Sequence, residues 1–273
     1  MFSASLYDAA HAHSAVIRRA ARGLLLVSGA DRRTYLHGLL TNDIAGLEPG
    51  RGCYAAYLTP QGRMIADLHA YELGDLVLLV TPLAAKDTVL ARLDQFIFSE
   101  DVQLGDVSAA FAGITVAGPE AAATLAAALE GTDAAALSAM PEHGCLRATL
   151  HGNPVIVARV TDFGVPAWDL FIEATQLDAL TMALTAGGAP TLDAATAETL
   201  RLEAGTPWFG VDMHDDTIPL EAGIESRAIS FNKGCYVGQE VIIRVLHRGH
   251  GRVARKLAII GLAPAAAMPA AGA

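Results

Sequence analysis

At 273 residues, with 29 acidic against 19 basic side chains and a formal net charge of -10, the chain can bury one large core or two modest ones. It is too acidic for general nucleic-acid affinity. Hydrophobic residues make up 52% of it, but alanine inflates that figure; charges break every apolar stretch short of a membrane span, and the N-terminus lacks a basic-then-apolar signal.

In chain order, the pattern predicts a helix over residues 8–22 closed by Gly23, then a short strand over 24–27. Asp31 is placed to cap a second helix running to about residue 40. A meander follows: residues 54–58 extended, a turn at Pro60-Gln61-Gly62-Arg63, residues 64–73 returning, a turn at Gly74-Asp75, and an apolar strand over 76–80. A helix is expected over 84–98, and Pro119 opens another over 120–129. The same order then recurs, with strands over 145–150, 155–160 and 167–173, and a helix over 176–185 closed by Gly187-Gly188. A further helix covers 194–204. Two meander-plus-helix units predict an α+β fold of two similar lobes, each an antiparallel sheet with helices on one face, with a lobe boundary near residues 108–118.

Cys53, Cys145 and Cys235 are widely spaced, odd in number and without a Cys-x-x-Cys pair. Neither a disulfide framework nor a self-contained zinc or iron–sulfur site is encoded, and a reducing, cytoplasmic setting is the expectation. Other loose matches fail on context. Gly249-His250-Gly251-Arg252-Val253-Ala254 lacks the helix, second strand and distant acid of a dinucleotide site. His11-x-His13 and Asp212-x-His214-Asp215-Asp216 fall short of a metal-ligand set.

The most informative segment is Lys233-Gly234-Cys235-Tyr236-Val237-Gly238-Gln239-Glu240. Glycines at 234 and 238 permit close approach of a ligand or another chain, and a cationic neighbour such as Lys233 favours a reactive thiolate at Cys235. A buried cysteine in a tight turn is the competing reading. Lys233, Gln239 and Glu240 favour a contact surface. A carboxylate-free basic run follows, with Arg244, His247, Arg248, His250, Arg252, Arg255 and Lys256; such runs are usually solvated faces, and an anionic ligand is the alternative.

This octapeptide resembles the signature of the YgfZ-like folate-binding proteins, which assist iron–sulfur protein maturation and are relatives of the glycine-cleavage T-protein, an aminomethyltransferase. The resemblance extends through Leu200-Arg201-Leu202-Glu203-Ala204-Gly205-Thr206-Pro207-Trp208-Phe209-Gly210-Val211-Asp212, Pro219-Leu220-Glu221-Ala222-Gly223, Gly38-Leu39-Leu40-Thr41-Asn42-Asp43 and Leu58-Thr59-Pro60-Gln61-Gly62-Arg63. It implies a bilobed folate-binding region over residues 1–230 enclosing a central cleft. Residues 231–273 would carry the cysteine motif and the truncated start of a C-terminal β-barrel.

By the same resemblance, tetrahydrofolate is the cofactor, Arg201 its foremost binding residue, and Asp67, Asp169 and Tyr236 further contacts. Cys235 and Lys233 would perform thiol chemistry, with Gly234, Gly238, Gln239 and Glu240 positioning the loop. T-proteins carry paired acids where this chain has Ala66-Asp67, which argues against their chemistry. Partners implied are folate and iron–sulfur client or carrier proteins, with no direct nucleic-acid or membrane contact and a monomeric state. A tRNA link would run through an iron–sulfur tRNA-modifying enzyme. Folate-dependent aminomethyl transfer and a non-catalytic adaptor role stand as alternatives.

Overall fold

The computed structural model describes residues 2–249 and 251–262. Helix α1 (Ala4–Ala12) is followed by β1 (Ala15–Arg18), β2 (Arg22–Ser28) and α2 (Arg32–Leu39). The meander β3 (Arg51–Leu58), β4 (Met64–Glu72) and β5 (Leu76–Pro82) leads into α3 (Lys86–Asp94), β6 (Gln103–Asp106) and β7 (Phe111–Ala117). The second half supplies α4 (Ala121–Ala128), α5 (Ala134–Ala139), β8 (Cys145–Leu150), β9 (Asn153–Val160), β10 (Ala167–Glu173), α6 (Leu177–Ala186) and α7 (Ala194–Glu203). Short helices α8 (Pro219–Ala222) and α9 (Glu225–Ala228) precede α10 (Gln239–His247).

Two five-stranded antiparallel sheets result, ordered β3-β4-β5-β2-β6 and β1-β7-β10-β9-β8. The outer face of the first packs Leu25, Leu68 and Leu79 against Leu36, Leu39, Val89 and Leu93 of α2 and α3. The outer face of the second packs Val116, Val157 and Leu170 against Leu125, Leu137, Leu180 and Leu184 of α4, α5 and α6. The inner faces meet through Leu24, Leu78 and Val80 on one sheet and Ala158 and Phe171 on the other. The layers therefore run helix, sheet, sheet, helix, which is the expected α+β pair of lobes.

The N-terminus departs from the expected helix over 8–22. Val16 and Ile17 are β-branched and buried, so they favour a pleated surface. β1 pairs with β7 in the second sheet (Ala15↔Ala117) while β2 joins the first, so the chain crosses between lobes at residues 19–21. That crossing delivers Arg19 and Arg22 to the inter-sheet space. Strands β6 and β7 also appear where the pattern shows none. In β7, alanines and Gly113 dilute the signal, yet Gly113 sits opposite Phe171, and a Cβ there would lie 3.4 Å from its ring.

Asp31 does not cap α2 through its side chain; its Oδ2 accepts the Asp101 N–H at 2.9 Å. Helix α3 ends before Phe96 and Phe98, which stay on the surface. The start of a β-barrel is not seen: residues 251–262 hold no strand, and His250 and residues 263–273 lie outside the described residues.

Two loops named by the sequence interlock. Gly62 (φ 75°) and Gly238 (φ 85°) both take left-handed conformations. A Cβ on Gly238 would stand 2.6 Å from the Thr59 carbonyl, and one on Gly62 would stand 2.9 Å from Val241 Cβ. The Thr59-Pro60-Gln61-Gly62 turn and the start of α10 thus need both glycines to dock.

Candidate functional site

Strand alternation turns Asp67, His69 and Tyr71 of β4 toward the inter-sheet space, opposite the side chains Ala66, Leu68 and Ala70 that face the helices. From the other sheet β10 presents Asp169, and the loop after β9 adds Asp162. Arg19 Nη2 lies 2.9 Å from Asp162 Oδ2 and 3.6 Å from Asp169 Oδ2, and Arg22 Nη2 reaches Asp162 at 3.6 Å. Tyr54 donates to Asp67 Oδ2 at 2.9 Å. The Arg19 guanidinium also lies over the Phe163 and Trp208 rings, 5.3 and 5.2 Å from their centroids. Arg19, Asp67, His69, Asp162 and Asp169 are each no more than 5% exposed, so their charges are matched inside the protein.

These groups titrate apart. Burial pushes Asp162 up, but the Arg19 and Arg22 guanidinium groups outweigh it and hold its carboxyl well below the usual range. Burial raises Asp67 and Asp169, with Arg22 and Arg19 respectively offsetting only part of it. His69 is driven well below its ordinary value by burial and is neutral at physiological pH. Since Asp67 holds a proton more tightly folded than unfolded, its contribution to stability falls as pH rises through that raised value. Asp67→Asn is therefore expected to stabilise the protein at neutral pH in urea titrations, and to lose that advantage below the unfolded carboxyl pKa of about 4.

Several buried polar atoms lack a protein partner among the described residues: Arg19 Nε and Nη1, Asp67 Oδ1, His69 Nδ1 and Tyr71 Oη. Each such atom costs about 1–3 kcal/mol when nothing answers it, which makes this cluster the candidate ligand site of the described residues. Cationic donors, a carboxylate acceptor and a phenol grouped this way suit a planar heterocycle with adjacent N–H and carbonyl groups. A cavity of about 560 Å³ lies alongside, lined by Arg19, Arg22, Pro82, Leu83, Trp208 and Phe209.

Residues 7–233 match the family model of the GCVT N-terminal domain. The chain belongs to this family. An aminomethyltransferase of Rubrobacter xylanophilus is 30% identical over 246 residues, covering 90% of this chain and 62% of the relative. One from Cutibacterium acnes is 33% identical over 226 residues, covering 80% and 61%. The chain thus spans less than two thirds of these relatives' lengths. The glycine cleavage system aminomethyltransferase T from Bartonella henselae superposes with a TM-score of 0.79 at 22% identity, over 89% of this chain and 66% of that one, which shows a shared fold.

Within this GCVT N-terminal domain, Asp67 and Asp169 reach one cluster from opposite sheets. Arg201 is buried, but its guanidinium is committed to Glu198, Asp212 and the Thr206 carbonyl and lies 4.8 Å from the Trp208 centroid. It fastens residues 205–212 and so places Trp208. Tyr236 packs with Tyr54, Leu58, Met64 and Ile242, and burial pushes its hydroxyl up to about 12.

Lys233 Nζ donates to the carbonyls of His37, Leu40 (2.6 Å) and Asn42 (2.9 Å), with burial bringing the amine down to about 8. Its three protons anchor the end of α2 and are not offered to a thiol. Cys235 is exposed. Gly234 beside it has open space where a side chain would begin, in contrast to Gly238. Gln239 is half-buried at the start of α10, and Glu240 bridges Arg244 at 2.5 Å on the exposed face. Of the basic run, Arg255 is tied to Asp216 and Glu221. Lys233→Met is expected to cost about 1–3 kcal/mol through the carbonyls it strands, read as a lower urea midpoint.

Asp162 joins the cluster beside Asp169, while Arg19, Arg22, His69 and Tyr71 complete it without having been singled out in the sequence. Asp67-x-His69-x-Tyr71 carried a readable signal, three polar side chains at period two inside an apolar strand. Among the described residues no group of three or more His, Cys, Asp or Glu could hold a metal ion, and no helix is long and apolar enough to cross a membrane.

Proposed function

We propose that this GCVT N-terminal domain binds tetrahydrofolate between its sheets. The observation that carries the reading is the set of unpartnered buried atoms around the Arg19–Asp162 pair. A pterin's neighbouring amino and ring N–H groups match a carboxylate such as Asp67, and its carbonyl matches the free guanidinium donors of Arg19. The cavity beside Trp208 has the size and aromatic wall for the remainder of a fused-ring ligand. Arg201 serves this site through Trp208.

We read the use of that folate as support for iron–sulfur assembly or repair in client proteins. What supports this is the Cys235 loop, a free thiol held at the surface by Lys233 and Gly238 and available to a partner protein. Aminomethyl transfer to tetrahydrofolate is the second reading, and the similarity to curated aminomethyltransferases favours it. The two separate experimentally. On the first reading, wild type restores iron–sulfur enzyme activity in a strain lacking the gene, Cys235→Ser does not, and no methylenetetrahydrofolate forms in a reconstituted glycine-cleavage assay. Formation of methylenetetrahydrofolate by wild type and Cys235→Ser alike would establish the second.

A further inference from the structure

A second histidine reaches the cluster from the opposite lobe. His143 sits in the loop between α5 and β8 with φ 58°, a left-handed conformation that turns it inward. The loop is fixed on both sides: the His143 N–H donates to the Arg159 carbonyl at 3.1 Å, and a Cβ on Gly52 of β3 would stand 2.8 Å from the His143 carbonyl. The imidazole is buried, its centroid 5.2 Å from that of His69. The His69 ring lies 5.1 Å from that of Tyr54, whose hydroxyl bonds Asp67.

The two nitrogens of His143 have different surroundings. Nε2 faces Glu142 Oε1 at 3.4 Å, and that same oxygen accepts from Thr161 Oγ1 at 2.7 Å and Arg227 Nη2 at 3.3 Å. Glu142 is therefore held in place and favours the proton on Nε2. Nδ1 is buried and has no partner, as is the case for His69 Nδ1. A carboxylate orienting one ring nitrogen while the other keeps a free lone pair is the arrangement of an acid–base imidazole.

We infer that His143, oriented by Glu142, is an acid–base residue of the folate site, its Nδ1 accepting a hydrogen bond or proton from a ring N–H of the ligand. This rests on the folate reading above. The ligand nitrogen keeps the electron pair of the broken N–H bond, the proton adds to the Nδ1 lone pair, and the Glu142 carboxylate balances the imidazolium. The groups facing His143 are Glu142 on its own loop, Asp162 and Thr161 after β9, Arg227 of α9, and His69 of β4. Burial lowers its proton affinity, with Arg227 adding to that and Glu142 and Asp162 opposing it, so the free protein carries a neutral acceptor.

The test is tetrahydrofolate affinity by calorimetry from about pH 5 to pH 8 for wild type, His143→Gln and Glu142→Gln, with ¹⁵N spectra of the imidazoles. Wild-type affinity is expected to weaken by up to about tenfold per pH unit once His143 protonates, since one proton must be displaced. The free protein should show Nδ1 unprotonated, with its resonance shifting on ligand addition. His143→Gln should still bind but lose that component of the pH dependence, leaving the part due to Asp67 and Asp169, and Glu142→Gln should displace its midpoint. Superimposable wild-type and His143→Gln profiles would overturn the inference and leave the folate reading standing. Absence of binding by wild type at every pH would remove both.

Discussion

Arg19→Met is expected to lower stability by about 3–5 kcal/mol, because it strands the buried carboxylates of Asp162 and Asp169 without their cationic partner. Arg22, at 3.6 Å from Asp162, offsets part of the loss. The pH dependence identifies the cause. In the wild type Asp162 is held below its unfolded value, so its stabilisation is present above about pH 4 and lost as pH falls further. In Arg19→Met the stranded carboxylates bind protons before unfolded ones do, so the gap between the proteins should narrow as pH falls. Urea titrations at neutral and acidic pH measure this directly, and a gap independent of pH would assign the loss to packing against Phe163 and Trp208 instead. Asp162→Asn in the Arg19→Met background should recover part of the stability, because it removes one of the two uncompensated charges.

Gly238→Ala carries the second large effect. A left-handed alanine at φ 85° costs about 1–3 kcal/mol by itself, and its Cβ would also stand 2.6 Å from the Thr59 carbonyl and 3.1 Å from Leu58 Cβ. The start of α10 must then withdraw from the Thr59–Gly62 turn, releasing the Cys235 loop. Lower thermal stability and faster proteolysis within residues 230–238 are the expected results. Gly234→Ala is the matched control and should be near neutral, since no atom lies within 4 Å of the added carbon. Equal behaviour of the two variants would mean that the interlock does not hold the loop.

What could be read from the chain was what local pattern encodes. β8 and β10 fall where the alternation places them, and the Gly62 and Gly74 turns separate the first meander as expected. The crossing at residues 19–21 was illegible because Arg18, Arg19 and Arg22 look like the solvated face of a helix. Only the pairing of β1 with β7, remote in sequence, turns Arg19 inward. Asp67 was visible as an acid inside an apolar strand, but its partnership with Tyr54 and its distance from water are tertiary facts. Arg201 shows the converse. Its motif was conspicuous, while its engagement by Glu198 and Asp212 depends on a loop whose course no local pattern predicts. His143 was hidden for the same reason, its role following from a left-handed turn and from a lobe contributed by the other sheet.

A folate site built on Asp67 and Arg19 between the sheets can be put to calorimetric titration of tetrahydrofolate into wild type and Asp67→Asn. Saturable binding by wild type, weakened by about 10–100-fold in the variant through loss of a charge-assisted hydrogen bond, is the predicted result. Unchanged affinity in a folded Asp67→Asn protein, or no binding by wild type, would contradict it.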